Sequence, residues 1–520
     1  MTLVSPSFFA LTAVTLLFYY LLPMRFQWAV LLVASLSFFC FAGTPYTIVY
    51  LAVSILVTYV CANKIGEARK AEEEGGDKKA KRWLLLALVV NLGLLAALKY
   101  TNFILGNAGA VYAAVTGETV HWRVNWAAAL GISYYTLQLT AYLADCYWGI
   151  VKPGRHLGRL ALFASFFPQM VSGPVSKYDE LGTQLEKEHR FDAENMREGL
   201  IRIVVGVFKK VALADNLAFF LPFFFHEDMA GTAPYPLLAM LGYVVLVYAD
   251  FSSCMDIISG VALLFGIRMT KNFDSPFLSL SIQEFWQRWH ITLGRFLKEY
   301  VMYPLLRTRL WARMTKGIKK SFGKSASKKI PTYLAMLILW FFMGLWHGGG
   351  WNYILEGVWF WLVIVLGDLL APLFRKVTSH FDAERGWFVL FRRIRTLLIY
   401  AVGAVLFYFP SVTDGFAALG EIFSFRWFAD PAKMAAEVTS CTLASGTVIT
   451  VGQLIGTVAA FVLFLINAHF ERRNGSLALR ITHWPVSMQV LLMAVLLYVL
   501  IFIGAYGPGY SQAEFVYGGF

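Results

Sequence analysis

Charge is scarce in this chain. Only 15% of its 520 residues are Asp, Glu, Lys or Arg, where a water-soluble protein carries nearer a quarter, so a soluble globular fold is excluded. Cysteine is sparse too. Cys40, Cys61, Cys146, Cys254 and Cys441 are dispersed, with no CxxC pair. That excludes a disulfide framework and a cysteine metal site, and leaves small buried hydrophobes as their reading. No HExxH, no GxSxG and no paired Cys/His set occurs, so zinc-hydrolase and serine-hydrolase chemistry lacks its residues. Gly323-Lys324-Ser325 is no phosphate loop, because Gly317 stands one position out of register. No internal repeat is visible, as paired transporter halves would show. Residues 1–22 have no basic n-region and no clear cleavage site, so they are expected to form a retained first span.

What the chain has in quantity is apolar sequence, 58% of residues, gathered into long runs. Such runs predict an all-α polytopic membrane protein. About twelve spans are expected, each near ~20 residues, over 7–22, 28–41, 46–62, 83–105, 126–148, 204–225, 237–265, 330–346, 351–370, 396–410, 448–466 and 486–503. The net charge of +13 is carried by connections. Basic residues collect in 64–82, 152–159, 268–271, 307–329, 375–395 and 471–480, while 106–125, 226–233 and 411–447 hold few. Placing the basic set in the cytoplasm puts both termini outside, with 504–520 as an extracytoplasmic tail. No basic patch lies in a separate polar domain, so nucleic acid is not an expected partner. The lipid bilayer is one. The stretch 64–82 reads as a solvated charged loop, and 1–520 as one transmembrane domain. Residues 157–172 are apolar but run into Phe167-Pro168 and Gly173-Pro174, which breaks a helix and suggests a re-entrant segment.

Few residues here are equipped for chemistry. His347 stands in Gly344-Leu345-Trp346-His347-Gly348-Gly349-Gly350, between two apolar runs. An ionisable ring at membrane depth is costly and marks function by default, and the glycines beside it allow close approach. The plainer alternative is a histidine bonded to a carbonyl inside the bundle. A second group is Gln283-Glu284-Phe285-Trp286-Gln287-Arg288-Trp289-His290. Trp286 and His290 are four apart and are expected on one helix face; an interfacial helix with a tryptophan belt is the alternative. Asp250 and Asp256 lie in one apolar run, and Asp250 is expected to orient His290 or to pair with Arg288. The tail carries Tyr506, Tyr510 and Tyr517, which serve as interface anchors or, on a sharper reading, bring Tyr517 into a pore.

Taken in order, these residues resemble the membrane-bound O-acyltransferase (MBOAT) family, in its bacterial AlgI-like and DltB-like branch. The resemblance covers most of the chain. It is carried by Leu130-Gly131-Ile132-Ser133-Tyr134-Tyr135-Thr136-Leu137-Gln138, by Ser172-Gly173-Pro174-Val175-Ser176-Lys177-Tyr178, and by Gly206-Val207-Phe208-Lys209-Lys210 through Asp215. Its strongest part runs from Asp250 to Pro304 and contains Phe265-Gly266-Ile267-Arg268, Asn272-Phe273, Glu284-Phe285-Trp286 and Trp289-His290, and Trp346-His347-Gly348 completes it. After Tyr303-Pro304-Leu305-Leu306 the chain departs from the branch, with Arg307-Thr308-Arg309 in place of a Gly-Gly-Asn-Arg turn.

The resemblance implies a fold of about 11–12 transmembrane helices, with re-entrant and amphipathic helices around a central pore. It implies an enzyme that moves an acyl group, acetyl in the first instance, to an envelope polysaccharide. His347 would be the catalytic histidine and His290 the second functional position, and on the sharper reading of the tail Tyr517 would be an acyl relay. Trp346, Trp286, Trp289, Arg288, Asp250, Asn272 and Gln138 would line the substrate path. No tightly bound cofactor is implied. The donor would be acetyl-CoA, another acyl-CoA or an acyl-carrier-protein thioester. The partner would be a secreted or membrane-anchored acyltransferase of the SGNH type, and the location a bacterial inner membrane. A lipid or glycan transporter and a non-catalytic envelope scaffold are the competing readings.

Overall fold

The computed structural model describes residues 1–70, 76–127, 129–218, 221, 236–379, 381–382, 384–424, 458, 461–462 and 477–504. Among them the regular structure is helical and no strand occurs. This is what lipid demands, since a helix satisfies its own backbone polar groups segment by segment. The helices used below are α1 (Pro6–Leu21), α2 (Gln27–Ala42), α3 (Ile48–Lys70), α4 (Gly76–Thr116), α5 (Ile132–Trp148), α6 (Leu157–Ser165), α7 (Ala193–Phe208), α8 (Pro236–Leu264), α9 (Ile282–Arg288), α10 (Ile291–Phe296), α11 (Arg309–His347), α12 (Trp351–Leu369), α13 (Ala371–Thr378), α14 (Gly386–Tyr408), α15 (Val412–Ser424) and α16 (Val486–Ile503). Six segments are long and apolar enough to cross a membrane: Met24–Ala42, Pro45–Lys70, Gly76–Thr116, Ala239–Leu264, Arg309–His347 and Trp351–Leu369. Pro6–Leu21 and Val486–Ile501 are apolar but shorter. The expected span 448–466, the tail with Tyr506, Tyr510 and Tyr517, and Cys441 lie outside the described residues.

The chain packs as two compact units, Met1–Ile203 with Ile257–Thr270, and Val204–Asp256 with Lys271–Gly519. In the first, α1 packs on α2, and α3 on α4 and α5. Asn91 on α4 donates to Thr58 Oγ1 on α3 at 3.1 Å, the kind of polar bond that joins helices where lipid offers no hydrophobic drive. After α6 the backbone leaves the helix over 166–177. Pro168 and Pro174 make that break, and the irregular stretch is mostly buried in protein, as non-helical backbone at such depth must be. Gln138 lies in this unit, buried on α5.

In the second unit α11 packs on α12, α12 on α14, and α14 on α15 and α9. Two of these contacts are backbone to backbone. A Cβ on Gly344 would stand 2.2 Å from the Tyr353 carbonyl oxygen, and one on Gly357 2.3 Å from that of Trp340. The bare glycines let α11 and α12 close together.

Two loop expectations are corrected. The charged stretch 64–82 is largely helical, because α3 continues to Lys70 and α4 begins at Gly76. Lys64 and Glu67 pair at 2.8 Å along α3, and Lys, Arg, Glu and Ala are good helix formers even in water. The basic stretch 307–329 is helical too, as the first arm of α11. That arm folds back on the second. Gly323 breaks the helix with φ 83, and Trp311 Nε1 donates to the Pro331 carbonyl at 3.3 Å, where a straight helix would hold them ~30 Å apart.

Candidate functional site

His347 closes α11. Its ring is buried, 4% exposed, and meets the Phe407 ring edge-on at 5.3 Å. The chain then turns through Gly348–Gly350 into α12. A Cβ on Gly348 would enter the Tyr353 ring at 2.2 Å, so the turn fits only a residue without a side chain. Trp346 beside it is buried. Asn352, on the first turn of α12, donates to the Phe407 carbonyl at 3.3 Å. The glycines therefore do more than clear a path to the imidazole: they fold the two helix ends around it.

His290 sits in a separate nest of the same unit. Helix α9 opens on Ser281, whose Oγ caps the Glu284 amide at 3.2 Å, while the Glu284 carboxylate takes the Leu280 amide at 2.8 Å, a reciprocal cap of the Ser-x-x-Glu kind. The helix ends at Arg288. Beyond it the Asp274 amide donates to the Arg288 carbonyl at 2.9 Å, and the Ile291 amide to the Asn272 carbonyl at 3.0 Å. These bonds replace the helical ladder. They leave Trp289 extended and His290 left-handed at φ 44. The expectation that Trp286 and His290 share a helix face is thus corrected, because the helix stops between them.

The second nest fixes a tautomer. Asn272 Oδ1 accepts from the Thr292 amide at 3.2 Å and from Thr292 Oγ1 at 2.9 Å, which identifies it as the amide oxygen. His290 Nδ1 is 3.2 Å from the same oxygen, so Nδ1 carries the proton and Nε2 holds the lone pair. Asn272 Nδ2 donates to Met255 Sδ at 3.3 Å. The Phe251 ring packs edge-on at 4.8 Å. Burial alone pushes the imidazole down to about 3, so the ring is neutral and its Nε2 is a hydrogen-bond acceptor at physiological pH.

Aromatic rings wall this region. Phe285 stacks on Trp289 at 5.5 Å, Trp289 meets Tyr400 at 5.2 Å, and Trp286 meets Trp340 at 4.9 Å and Phe360 at 4.7 Å. Arg288 pairs with Glu284 at 2.9 Å and with Asp274 at 3.6 Å. The expected pairing of Asp250 with Arg288 is therefore corrected, and the contact that orients His290 comes from Asn272. Asp250 takes Lys210 Nζ at 2.7 Å, and Asp215 takes the same ammonium at 2.8 Å. Asp256 pairs with Lys209 at 2.7 Å. Each of these carboxylates is matched to a lysine, as charges inside a bilayer must be.

The structure thus brings His290, Asn272, Trp286, Trp289, Arg288, Asp250, Trp346 and His347 into one unit, and places Gln138 in the other. The sequence alone assigns no role to Lys210, Asn352, Tyr400 or Glu356. For Glu356 the signal is a lone charge inside an apolar run, and for Lys210 it is the Lys209-Lys210 pair inside another. Among the described residues no cluster of three or more His, Cys, Asp or Glu could hold a metal ion. What the arrangement offers is two buried histidines, His347 at a helix end followed by glycines and His290 as a hydrogen-bond acceptor through Nε2 beside a wall of aromatic rings.

A family model described as "MBOAT, membrane-bound O-acyltransferase family" matches residues 156–315. The chain is 31% identical over 396 residues to a protein of Helicobacter pylori named "Peptidoglycan O-acetyltransferase", covering 71% of this chain and 70% of that one. It is 31% identical over 415 residues to the Pseudomonas putida protein named "Probable alginate O-acetylase AlgI", covering 78% and 77%. To the "Teichoic acid D-alanyltransferase" of Bacillus subtilis it is 31% identical over 238 residues, covering 44% and 56%.

Proposed function

The chain belongs to the membrane-bound O-acyltransferase family, and from that membership we propose that it carries an acyl group, acetyl in the first instance, from a cytoplasmic thioester to an envelope or extracellular polysaccharide. It is a multi-pass membrane enzyme of acyl transfer. On this reading its membrane is the bacterial inner membrane, with both termini outside. The relatives' names point the acceptor toward alginate, peptidoglycan or teichoic acid.

The observation that carries the reading is His347, buried at the end of a membrane-spanning helix and followed by Gly348, where a side chain would enter the Tyr353 ring. In the proposed mechanism its imidazole removes the proton from the attacking hydroxyl. The oxygen then adds to the thioester carbonyl, and the sulfur leaves. Water is kept out by the tryptophan wall, which strengthens each polar contact inside. His290 Nε2, fixed as acceptor by Asn272, orients a hydroxyl of the substrate. Donor binding falls to acetyl-CoA or to an acyl-carrier protein, drawn by the basic first arm of α11. Tyr517 receives the acyl group on its phenol and hands it to a secreted or membrane-anchored SGNH-type acyltransferase.

The test is purified protein with labelled acetyl-CoA, with and without a soluble acyl acceptor. His347→Ala is expected to abolish label transfer while the variant still purifies as a folded, monodisperse protein; undiminished transfer would sink the reading. Intact-mass analysis of donor-treated protein is expected to show acylation that Tyr517→Phe removes. A label elsewhere, or none, ends the relay.

A further inference from the structure

Glu356 is a carboxyl group on α12 that the mechanism above does not use. It is 8% exposed and lies inside the membrane-crossing segment Trp351–Leu369. Among the described residues of this unit the other buried carboxylates, Asp250 and Asp215, share Lys210 within 2.8 Å, and the less buried Asp256 has Lys209 at 2.7 Å. Glu356 has none. Among the described residues no hydrogen bond or ion pair reaches its carboxyl. The groups within electrostatic reach are neutral phenols: Tyr243 from α8, Tyr353 from α12 itself and Tyr400 from α14. A carboxylate so placed gains no Coulomb energy to offset lost hydration.

Its position relative to His347 is set by tight packing. Asn352, Glu356 and Phe360 recur every four residues and so share one stripe of α12. Asn352 holds the Phe407 carbonyl, and the Phe407 ring lies against His347. Phe360 meets the Trp286 ring of the aromatic wall. A Cβ on Gly403 of α14 would enter the Phe360 ring at 2.4 Å, so α12 and α14 are in near contact along the same stripe. Glu356 is therefore held midway between the His347 nest and the tryptophan wall. It stands about 7–8 Å along the axis from the start of α12.

We propose that Glu356 is the general acid that protonates the departing sulfur in the acyl transfer, a role that rests on the assignment of His347 as base. At this depth a thiolate is as poorly solvated as a carboxylate, so a sulfur leaving as an anion would meet the full desolvation cost. In the proposed step the acceptor hydroxyl gives its proton to His347 and its oxygen forms the ester bond. The carbon–sulfur bond breaks with its electron pair going to sulfur. The Glu356 carboxyl delivers its proton to that sulfur, and the imidazolium of His347 then returns a proton to the Glu356 carboxylate. The sum is thioester and alcohol to ester and thiol, with both groups restored.

The experiment uses two acetyl donors that differ in leaving group: acetyl-CoA, and the acetyl thioester of 4-nitrothiophenol, whose far more acidic thiol leaves as a stable anion without help. Glu356→Gln keeps the side chain's shape and removes its acid. Turnover of acetyl-CoA is expected to fall on the order of 100-fold, the usual weight of general acid catalysis, while turnover of the aryl thioester stays within about threefold of wild type. Equal loss with both donors would mark Glu356 as a packing residue and overturn the proposal, as would no loss with either. If the glutamine variant is not recovered folded, Glu356→Asp withdraws the carboxyl by one methylene and is read by the same donor ratio. His347→Ala run beside it separates the two claims. It should abolish turnover of both donors, and residual turnover there would refute the base assignment whatever Glu356 does.

Discussion

Asn272 Oδ1 lies 3.2 Å from His290 Nδ1 while also accepting two bonds from Thr292, and this contact decides which imidazole nitrogen is basic. The left-handed backbone at His290, φ 44, is what delivers the ring to that oxygen. Glycine adopts this conformation freely, and alanine does so at a cost of about 1–2 kcal/mol. His290→Gly is therefore expected to be more stable than His290→Ala by about 1 kcal/mol. Both should lose acyl transfer to the same extent. Thermal unfolding in detergent and a transfer assay on the same preparations check the pair.

Acid should weaken the fold through the same residue. An unfolded histidine takes up its proton near pH ~6.5, whereas burial in this nest holds the folded imidazole down to about 3. Between those values the unfolded chain binds the extra proton. The contribution is complete above about pH 6.5 and is lost as pH falls toward about 3. Unfolding midpoints of wild type should drop between pH 7.5 and 5, and His290→Asn should flatten that drop. An unchanged slope in the variant would assign the acid sensitivity elsewhere.

The lysine between Asp215 and Asp250 gives a sharper asymmetry. Lys210→Met strips two buried carboxylates of their cation, and such a break costs about 3–5 kcal/mol. Replacing all three by Met, Asn and Asn removes the charges together and should recover most of that loss. The yield of monodisperse protein and its unfolding temperature are the measurements. A triple variant no better than the single would mean that the ion cluster does more than neutralise itself.

Gly344 and Gly357 make a third kind of prediction. Alanine at either site places a methyl group 2.2–2.3 Å from a carbonyl oxygen of the facing helix, so α11 and α12 must separate. His347 is the last residue of α11 and moves with it. Either substitution is expected to reduce transfer at least 100-fold, since small displacements of a catalytic group carry that cost. A transfer assay beside a folding control reads it. Gly420, where a Cβ meets nothing within 4 Å, is the matched site at which alanine should be harmless.

How much of this was written in the sequence differs by residue. The membrane class was plain from the apolar runs, and His347 was legible because a lone ring among glycines stands out. The family motifs carried His290 and Asn272 by their order alone. What could not be read was the end of α9. Residues Ile282 to His290 have helical spacing throughout, and the break follows from distant backbone at Asn272 and Asp274, which periodicity does not see. Asp250 was misassigned for a related reason. Its lysine lies 40 positions upstream, and nothing local distinguishes that partner from Arg288. The charged stretches differ in another way, since their polarity suggests loop while their helix formers simply continue the helix past the apolar part.

The turn at Gly323 offers a practical handle on orientation. Space around it is open, its neighbours are exposed, and the two arms of α11 are tied together further along by Trp311 and Pro331. An epitope spliced in at that bend would project away from the fold without parting the arms. Antibody access to it in sealed vesicles of known polarity would report directly which compartment receives the basic arm.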